Sequence, residues 1–149
     1  NAAIDEGIAL HALLERLTLA SAWPPRVPDA GQLARWLSCP LPLAASIRQH
    51  ALQIFSQPQL ERFFNPAYFH FACNEMEVMN GGELMRFDRA VVYDEEVWVL
   101  DYKRDLLDSE RAAYAAQLAR YRSAARAVFP GKAIRTALIT ADGRLWEME

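Results

Sequence analysis

The chain has 149 residues, of which 52% are hydrophobic and 23% are charged, and its formal net charge is −3. This length predicts one domain with a substantial core, and the composition excludes an intrinsically disordered protein. The acidic balance excludes a protein that holds nucleic acid by its own net charge. Binding to DNA would therefore require neighbouring domains, or a metal ion that reverses the local sign of the charge.

Cysteine content and hydropathy narrow the class of protein further. Cys39 and Cys73 are far apart in sequence, which excludes a zinc ribbon or a cysteine-ligated iron–sulfur cluster held by this chain alone and fits a reducing compartment. No apolar run is long enough for a membrane span, and we expect no signal peptide. Because the first residue is Asn, we expect a domain excised from a larger protein, although removal of a leader or tag would look the same.

Residues 1–66 are predicted to be helical. Apolar residues recur at helical spacing in the first segment, at Ile8, Leu13, Leu14 and Leu17, and proline-rich stretches separate the later segments. Asp29 is the predicted N-cap of the second helix. The predicted helices are Ala3–Leu19, Ala30–Leu37, about Leu43–Phe55, and Gln57–Phe64.

The pattern changes after Pro66. Residues 67–149 show alternating, strand-like segments on both sides of one long helix, for which Ser109 is the predicted cap. The predicted elements are strands Tyr68–Met79, Leu84–Tyr93 and Val97–Lys103, helix Ser109–Phe129, and strands Ala133–Thr140 and Arg144–Met148. This order predicts an α/β (α+β) domain in which a small mixed sheet is flanked by helices.

The hairpin formed by the second and third predicted strands carries the polar residues of interest. Because side chains alternate along a strand, Val97, Val99, Asp101 and Lys103 share one face. Asp88, on the preceding strand, can point to the same place. Two carboxylates and a lysine at the edge of a sheet indicate a site for a divalent metal ion and a phosphate group.

Four short motifs occur in order along the chain, and together they resemble one family. They are Gly7-x-x-x-His11-x-x-Leu14-Glu15, Phe87-Asp88-Arg89, Asp101-Tyr102-Lys103 and Gln117-x-x-x-Tyr121. Their order, spacing and element types resemble the RecB/AddA-like nuclease domains of the PD-(D/E)XK superfamily, the C-terminal domains of UvrD/Rep-type helicase–nucleases. The resemblance covers essentially the whole chain, and one departure is Arg104, where many members have Thr or Ser.

The resemblance implies a metal-dependent deoxyribonuclease. Such a domain would act as an exonuclease or endonuclease on single-stranded DNA ends, in helicase-coupled double-strand break repair and recombination. It implies Mg²⁺ as the cofactor, for which Mn²⁺ or Ca²⁺ can substitute, with His11, Asp88 and Asp101 as ligands. Lys103 would steady the attacking water or the phosphate, and Gln117 with Tyr121 would brace Lys103 or contact the DNA backbone. The partners implied are helicase domains of the same parent chain and a partner subunit, in the bacterial cytoplasm at the nucleoid.

Other polar residues allow more than one interpretation. Glu75 and Glu77 share one face of the first predicted strand, and members of the family often carry a glutamate near this position. Which of the two matches stays open, so Glu75 is a weak candidate. His50 and His70 fit no motif and are predicted to be structural or surface residues. The arginines of the long helix are predicted to form a solvated face, with tracking of DNA as the alternative: Arg111, Arg120, Arg122 and Arg126.

Two other functions are compatible with the same motifs. One is a DNA-binding or subunit-interface domain whose nuclease site has decayed, although Asp88, Asp101 and Lys103 are all present. The other is a stand-alone PD-(D/E)XK exonuclease without a motor. No P-loop pattern occurs, so the chain itself is predicted to contain no ATPase.

Overall fold

The computed structural model describes residues 2–20 and 22–148, with side chains from Asp5 onward. Within these residues the helices are α1 (Ala2–Leu17), α2 (Ala30–Leu37), α3 (Leu41–Ser56), α4 (Glu61–Phe64) and α5 (Arg111–Val128). The strands are β1 (Phe71–Asn80), β2 (Glu83–Val92), β3 (Glu96–Lys103), β4 (Ala133–Thr140) and β5 (Leu145–Met148). Short 3₁₀ turns precede α4 and α5, at Pro58–Leu60 and Asp108–Glu110.

The strands form one mixed sheet in the order β1–β2–β3–β4–β5. Neighbouring strands are antiparallel except β3 and β4, which are parallel. A parallel pair needs a crossover connection, and α5 supplies it. The chain therefore has the mixed α/β architecture that the order of elements predicted.

Helices cover both faces of the sheet. On the face that we call the α1–α4 face, the first four helices pack against Trp98, Leu100 and Tyr102 of β3. On the opposite face, the α5 face, α5 packs against Val97 and Val99. The predicted alternation of β3 is thus confirmed, and this strand is buried on both sides. Among the described residues, none of the helices has both the length and the apolarity needed to cross a membrane.

Several element boundaries differ from the prediction. Helix α3 begins at Leu41 because Pro42 lies in its first turn, where a missing N–H costs no helical hydrogen bond. Strand β1 begins at Phe71 rather than at Tyr68. Helix α2 has the predicted bounds, and the side chain of Asp29 caps it by accepting a hydrogen bond from the backbone N–H of Gln32 at 2.9 Å.

Two local predictions were wrong. Ile8 is exposed, and Leu10 is buried instead, because α1 turns the face defined by positions 10, 13, 14 and 17 to the core. Ser109 does not cap α5, since that helix begins at Arg111 without a side-chain cap. Ser109 lies inside the 3₁₀ turn, and the extended backbone that a cap requires occurs earlier, at Leu107.

Gly143 allows the turn between β4 and β5 to lie against the end of α3. Its φ is +82°, and a Cβ atom there would lie 2.8 Å from Cγ of Gln57. Gly131 has a similar φ of +84°, but a Cβ atom there would meet nothing within 4 Å. We expect Gly131→Ala to lower the free energy of unfolding by about 1 kcal/mol, the cost of a left-handed backbone. Gly143→Ala should lower it clearly further, because Gln57 must also move.

Urea unfolding of the two alanine variants, followed by circular dichroism, measures this difference. Equal losses of stability in the two variants would contradict the close packing of this turn on α3.

Candidate functional site

The candidate site forms where β2 leaves β3. The two strands pair from Val92 with Val97 to Arg89 with Leu100. At the next position Oδ2 of Asp88 accepts a hydrogen bond from the backbone N–H of Tyr102 at 2.8 Å. This carboxylate takes the place of a backbone acceptor, so the donor on β3 stays paired while the strands separate. The result is a cleft of about 420 Å³ between β2, the end of β3, α1 and α5, which we call the site cleft.

Strand β1 has an irregularity at the matching position. Glu75 has a φ of +52°, which is unusual for a residue with a side chain. It lies opposite Asp88, at a position where β1 and β2 form no pair although the register is the same on both sides. Ala72 packs on the α1–α4 face, whereas Met76 packs on the α5 face, so the alternation of side chains changes phase at Glu75. This change brings the carboxylate of Glu75 against His11 and Arg86, which line the site cleft.

An imidazole and two carboxylates converge in the cleft. His11 Nε2 lies 2.6 Å from Glu75 Oε1 and 3.6 Å from Asp88 Oδ1. One possible ligand atom from each of the three residues lies within 4.8 Å of the others. The His11 ring also meets the ring of Tyr102 edge-on, with 5.5 Å between the ring centres. Helix α1 therefore brings His11 against the carboxylates of Glu75 and Asp88.

Asp101 and Lys103 adjoin this cluster. Lys103 Nζ lies 3.6 Å from Asp101 Oδ2, which is too long for a hydrogen bond. Asp101 is only 3% exposed. Burial, and then the neighbouring carboxylate of Asp88, raise the pKa of Asp101 to about 8. Asp101 is therefore a buried acid whose charged neighbour Lys103 lies beyond hydrogen-bond distance.

Gln117 and Tyr121 line the wall of the cleft formed by α5. Gln117 Nε2 donates a hydrogen bond to the Tyr121 hydroxyl at 2.8 Å. The expectation that this pair braces Lys103 differs from the observed contacts, because the Lys103 ammonium lies over the ring of Tyr114, 5.1 Å from its centre. Sequence reasoning missed Tyr114. Its spacing from Gln117 and Tyr121, at positions i, i+3 and i+7 of one helix face, was the available signal.

Arg86 is a second residue that the motifs did not single out. Its Nε lies 2.7 Å from Glu75 Oε2, at an angle unsuited to a hydrogen bond. Arg86 and Asp88 are two residues apart on β2 and line the same cleft, so strand alternation could have indicated it. Of the two glutamates left open by the sequence, Glu75 reaches the cleft and Glu77 is exposed.

The remaining polar candidates lie elsewhere or at the rim. His50 Nε2 lies 3.0 Å from Glu6 Oε1, and exposed His70 contacts Asp94. Arg120 lies at the rim of the site cleft, 3.5 Å from Glu83. The other three arginines of α5 do not line the site cleft. Arg111 and Arg126 are exposed, and Arg122 is half-buried.

The cleft offers a cation several possible ligand atoms that lack a hydrogen-bond partner among the described residues. His11 Nε2, Glu75 Oε2 and Asp101 Oδ2 are buried and have no hydrogen-bond partner among the described residues. Buried polar atoms of this kind are costly unless something pairs with them. Carboxylate oxygens with one imidazole nitrogen form a donor set that fits a divalent cation.

No protein-family model matches this chain, and no curated protein is significantly similar to it. The motifs and the geometry of the site cleft are what indicate a function. That geometry brings together residues from α1, β1, β2, β3 and α5.

Asp101→Asn should stabilise the metal-free protein, increasingly as the pH rises. An unfolded aspartate has a pKa of about 3.9, so between roughly pH 4 and 8 the wild type releases a proton on unfolding and loses stability. Asparagine carries no such proton. Each pKa unit corresponds to about 1.4 kcal/mol, so the variant should be more stable by a few kcal/mol near pH 8 and equal near pH 4.

Thermal unfolding in EDTA at a series of pH values measures the effect, with the exposed Asp108→Asn as the matched control. Parallel stability curves for wild type and Asp101→Asn would contradict the raised pKa.

Glu75→Gly and Glu75→Ala should differ in stability because only the alanine variant retains the left-handed strain. We expect the glycine variant to be the more stable of the two by about 1 kcal/mol. At the ordinary strand position Glu77 the order should reverse, since glycine weakens a regular strand by about 0.5–1 kcal/mol. Urea unfolding of the four variants gives both differences, and the same order at both positions would contradict the strain at Glu75.

Proposed function

We propose that this chain is a RecB/AddA-like nuclease domain with a PD-(D/E)XK core, which hydrolyses phosphodiester bonds of single-stranded DNA ends with Mg²⁺. One observation carries the proposal. The site cleft is lined by the six residues for which the resemblance implies a role at the site, and they come from three separate parts of the chain: His11, Asp88, Asp101, Lys103, Gln117 and Tyr121. An ordinary solvated strand end would not assemble such a set.

His11, Asp88 and Asp101 would hold the metal ion, with Glu75 as a further oxygen donor. This donor set is mostly carboxylate, which suits Mg²⁺ or Mn²⁺ and leaves coordination positions for water. When bound, the metal supplies an acidified water and a positive charge that offsets the charge building on the phosphoryl oxygens.

The other residues of the cleft would bind and orient the DNA. Lys103 lies between the Asp101 carboxylate and the Tyr114 ring, so its ammonium would supply a positive charge where negative charge develops on the phosphate. Gln117 and Tyr121 fix one another through their hydrogen bond and would contact the DNA backbone.

The charge of the chain indicates how the substrate would arrive. With a net charge of −3, the domain does not attract DNA over a distance. Helicase domains of the same parent chain, with a partner subunit, would therefore deliver the strand. The setting that the resemblance implies is double-strand break repair and recombination in the bacterial cytoplasm, at the nucleoid.

Asp101→Asn and Lys103→Ala separate metal binding from chemistry. We expect each to lower the rate of single-stranded DNA cleavage in Mg²⁺ by about 100-fold or more, because each removes a charge at the reacting phosphate or its metal. Only Asp101→Asn should also weaken Mn²⁺ binding, since Lys103 is not a ligand. Release of labelled nucleotides in Mg²⁺, Mn²⁺ or EDTA measures the rate, and electron paramagnetic resonance of Mn²⁺ measures the affinity.

The exposed Glu77→Gln serves as the control and should change neither quantity. Cleavage that persists in EDTA, or in both variants, would show the proposal to be wrong. DNA binding without cleavage in any metal would favour an inactive binding or interface domain. Active protein from a parent gene without a motor would favour a stand-alone exonuclease.

A further inference from the structure

A second cleft lies beside the site cleft, and we call it the Arg89 cleft. It has a volume of about 300 Å³ and lies between the end of α1, the segment before β1, and the paired strands β1 and β2. Its lining includes Thr18, Phe69, Phe71, Asn74 and Arg89. The two clefts are adjacent because Asp88 lines one and the next residue, Arg89, lines the other.

Arg89 is a buried charge with neutral partners. It is 3% exposed. Its Nε donates to the backbone carbonyl of Phe63 at 3.0 Å, and its Nη1 donates to Asn74 Oδ1 at 2.9 Å. Its guanidinium carbon lies 5.3 Å and 5.8 Å from the ring centres of Phe64 and Phe69. A buried guanidinium usually has a carboxylate partner, because an uncompensated buried charge is costly.

The lining of the Arg89 cleft contrasts with the acidic balance of the chain as a whole. None of the described residues that line it is Asp or Glu. His70 at its rim contacts Asp94, which lines the neighbouring surface and not this cleft. Burial lowers the pKa of Arg89, as expected for a cation without an anionic neighbour. What the cleft lacks is therefore an anion.

Phe71 adds an apolar surface at the mouth of the cleft. It is 53% exposed at the beginning of the edge strand β1. An exposed aromatic ring and a buried guanidinium that line one cleft match the two parts of a nucleotide, because arginine binds phosphate through paired N–H groups and aromatic rings stack on bases.

We propose that the Arg89 cleft binds a phosphate group of single-stranded DNA, with the base of that nucleotide stacked on Phe71. The proposal rests on the proposed nuclease function, because the strand is the one that enters the site cleft. His11, on α1, lines the site cleft, and Thr18, directly after α1, lines the Arg89 cleft; the two are seven residues apart, which is about 10 Å along a helix. Arg89 would thus hold the strand close to the nucleotide that is cut.

Binding of a labelled oligothymidine in EDTA tests the proposal without cleavage. We expect Phe71→Ala to weaken binding roughly fivefold or more, the loss of one stacked base. Met79→Ala is the matched control, because Met79 is 64% exposed on the same strand outside the cleft, and it should leave the affinity unchanged. Arg89→Gln should weaken binding by about tenfold or more and reduce the salt dependence by about one counterion. Equal affinities of Phe71→Ala and Met79→Ala would overturn the proposal.

A titration of the wild-type chain followed by NMR covers the case in which Arg89→Gln does not fold. The Nε–H signal of Arg89 and the side-chain amide of Asn74 should shift to saturation with deoxythymidine monophosphate, and more weakly with inorganic phosphate. Equal affinity for the two ligands would overturn the assignment to a nucleotide. Shifts confined to the surroundings of His11 and Asp101 would overturn the site.

Loss of this binding site and loss of the nuclease function are distinguishable outcomes. A chain that cleaves DNA in Mg²⁺, but binds it equally well after Phe71→Ala and Met79→Ala, overturns this inference alone. A chain that neither binds nor cleaves DNA overturns the nuclease function as well.

Discussion

The hydrogen bond from the backbone N–H of Tyr102 to the carboxylate of Asp88 allows the two central strands to separate without leaving a buried donor unpaired. A strand pair that ended without such an acceptor would lose about 1–3 kcal/mol for the orphaned group. Because the sheet opens at this point, α1 can reach the opening from one face and α5 from the other. The site cleft, and every contact in it, depends on that opening.

Several features that destabilise the metal-free protein lie together at the site cleft. Asp101 is buried beside another carboxylate, and Glu75 has a left-handed backbone conformation. Each of these lowers the stability of the metal-free fold, and such costs are typical of functional sites. The fold tolerates these losses of stability because β3, the strand that contains Asp101, is covered by apolar side chains on both faces.

An acidic chain that acts on DNA must concentrate its positive charge locally. In the site cleft that charge would come from a metal ion and Lys103, and in the Arg89 cleft from the guanidinium alone. Asp88 and Arg89 are successive residues of β2, and they line different clefts: Asp88 the site cleft and Arg89 the Arg89 cleft. The two clefts therefore form neighbouring parts of one proposed track for a DNA strand.

Local patterns in the sequence by themselves determined the order of the elements, the faces of β3, the cap of α2, and the proximity of Asp101 to Lys103. Helical period and strand alternation are properties of a few neighbouring residues, so they can be predicted without the partner elements. The motifs also nominated His11, but only the tertiary structure placed it beside Asp88. The tertiary structure also decided the position of Glu75 beside His11, the contact of Tyr114 with Lys103, and the lack of a carboxylate partner for Arg89 among the described residues. These depend on a change of phase between paired strands and on contacts between distant segments, which no local pattern encodes.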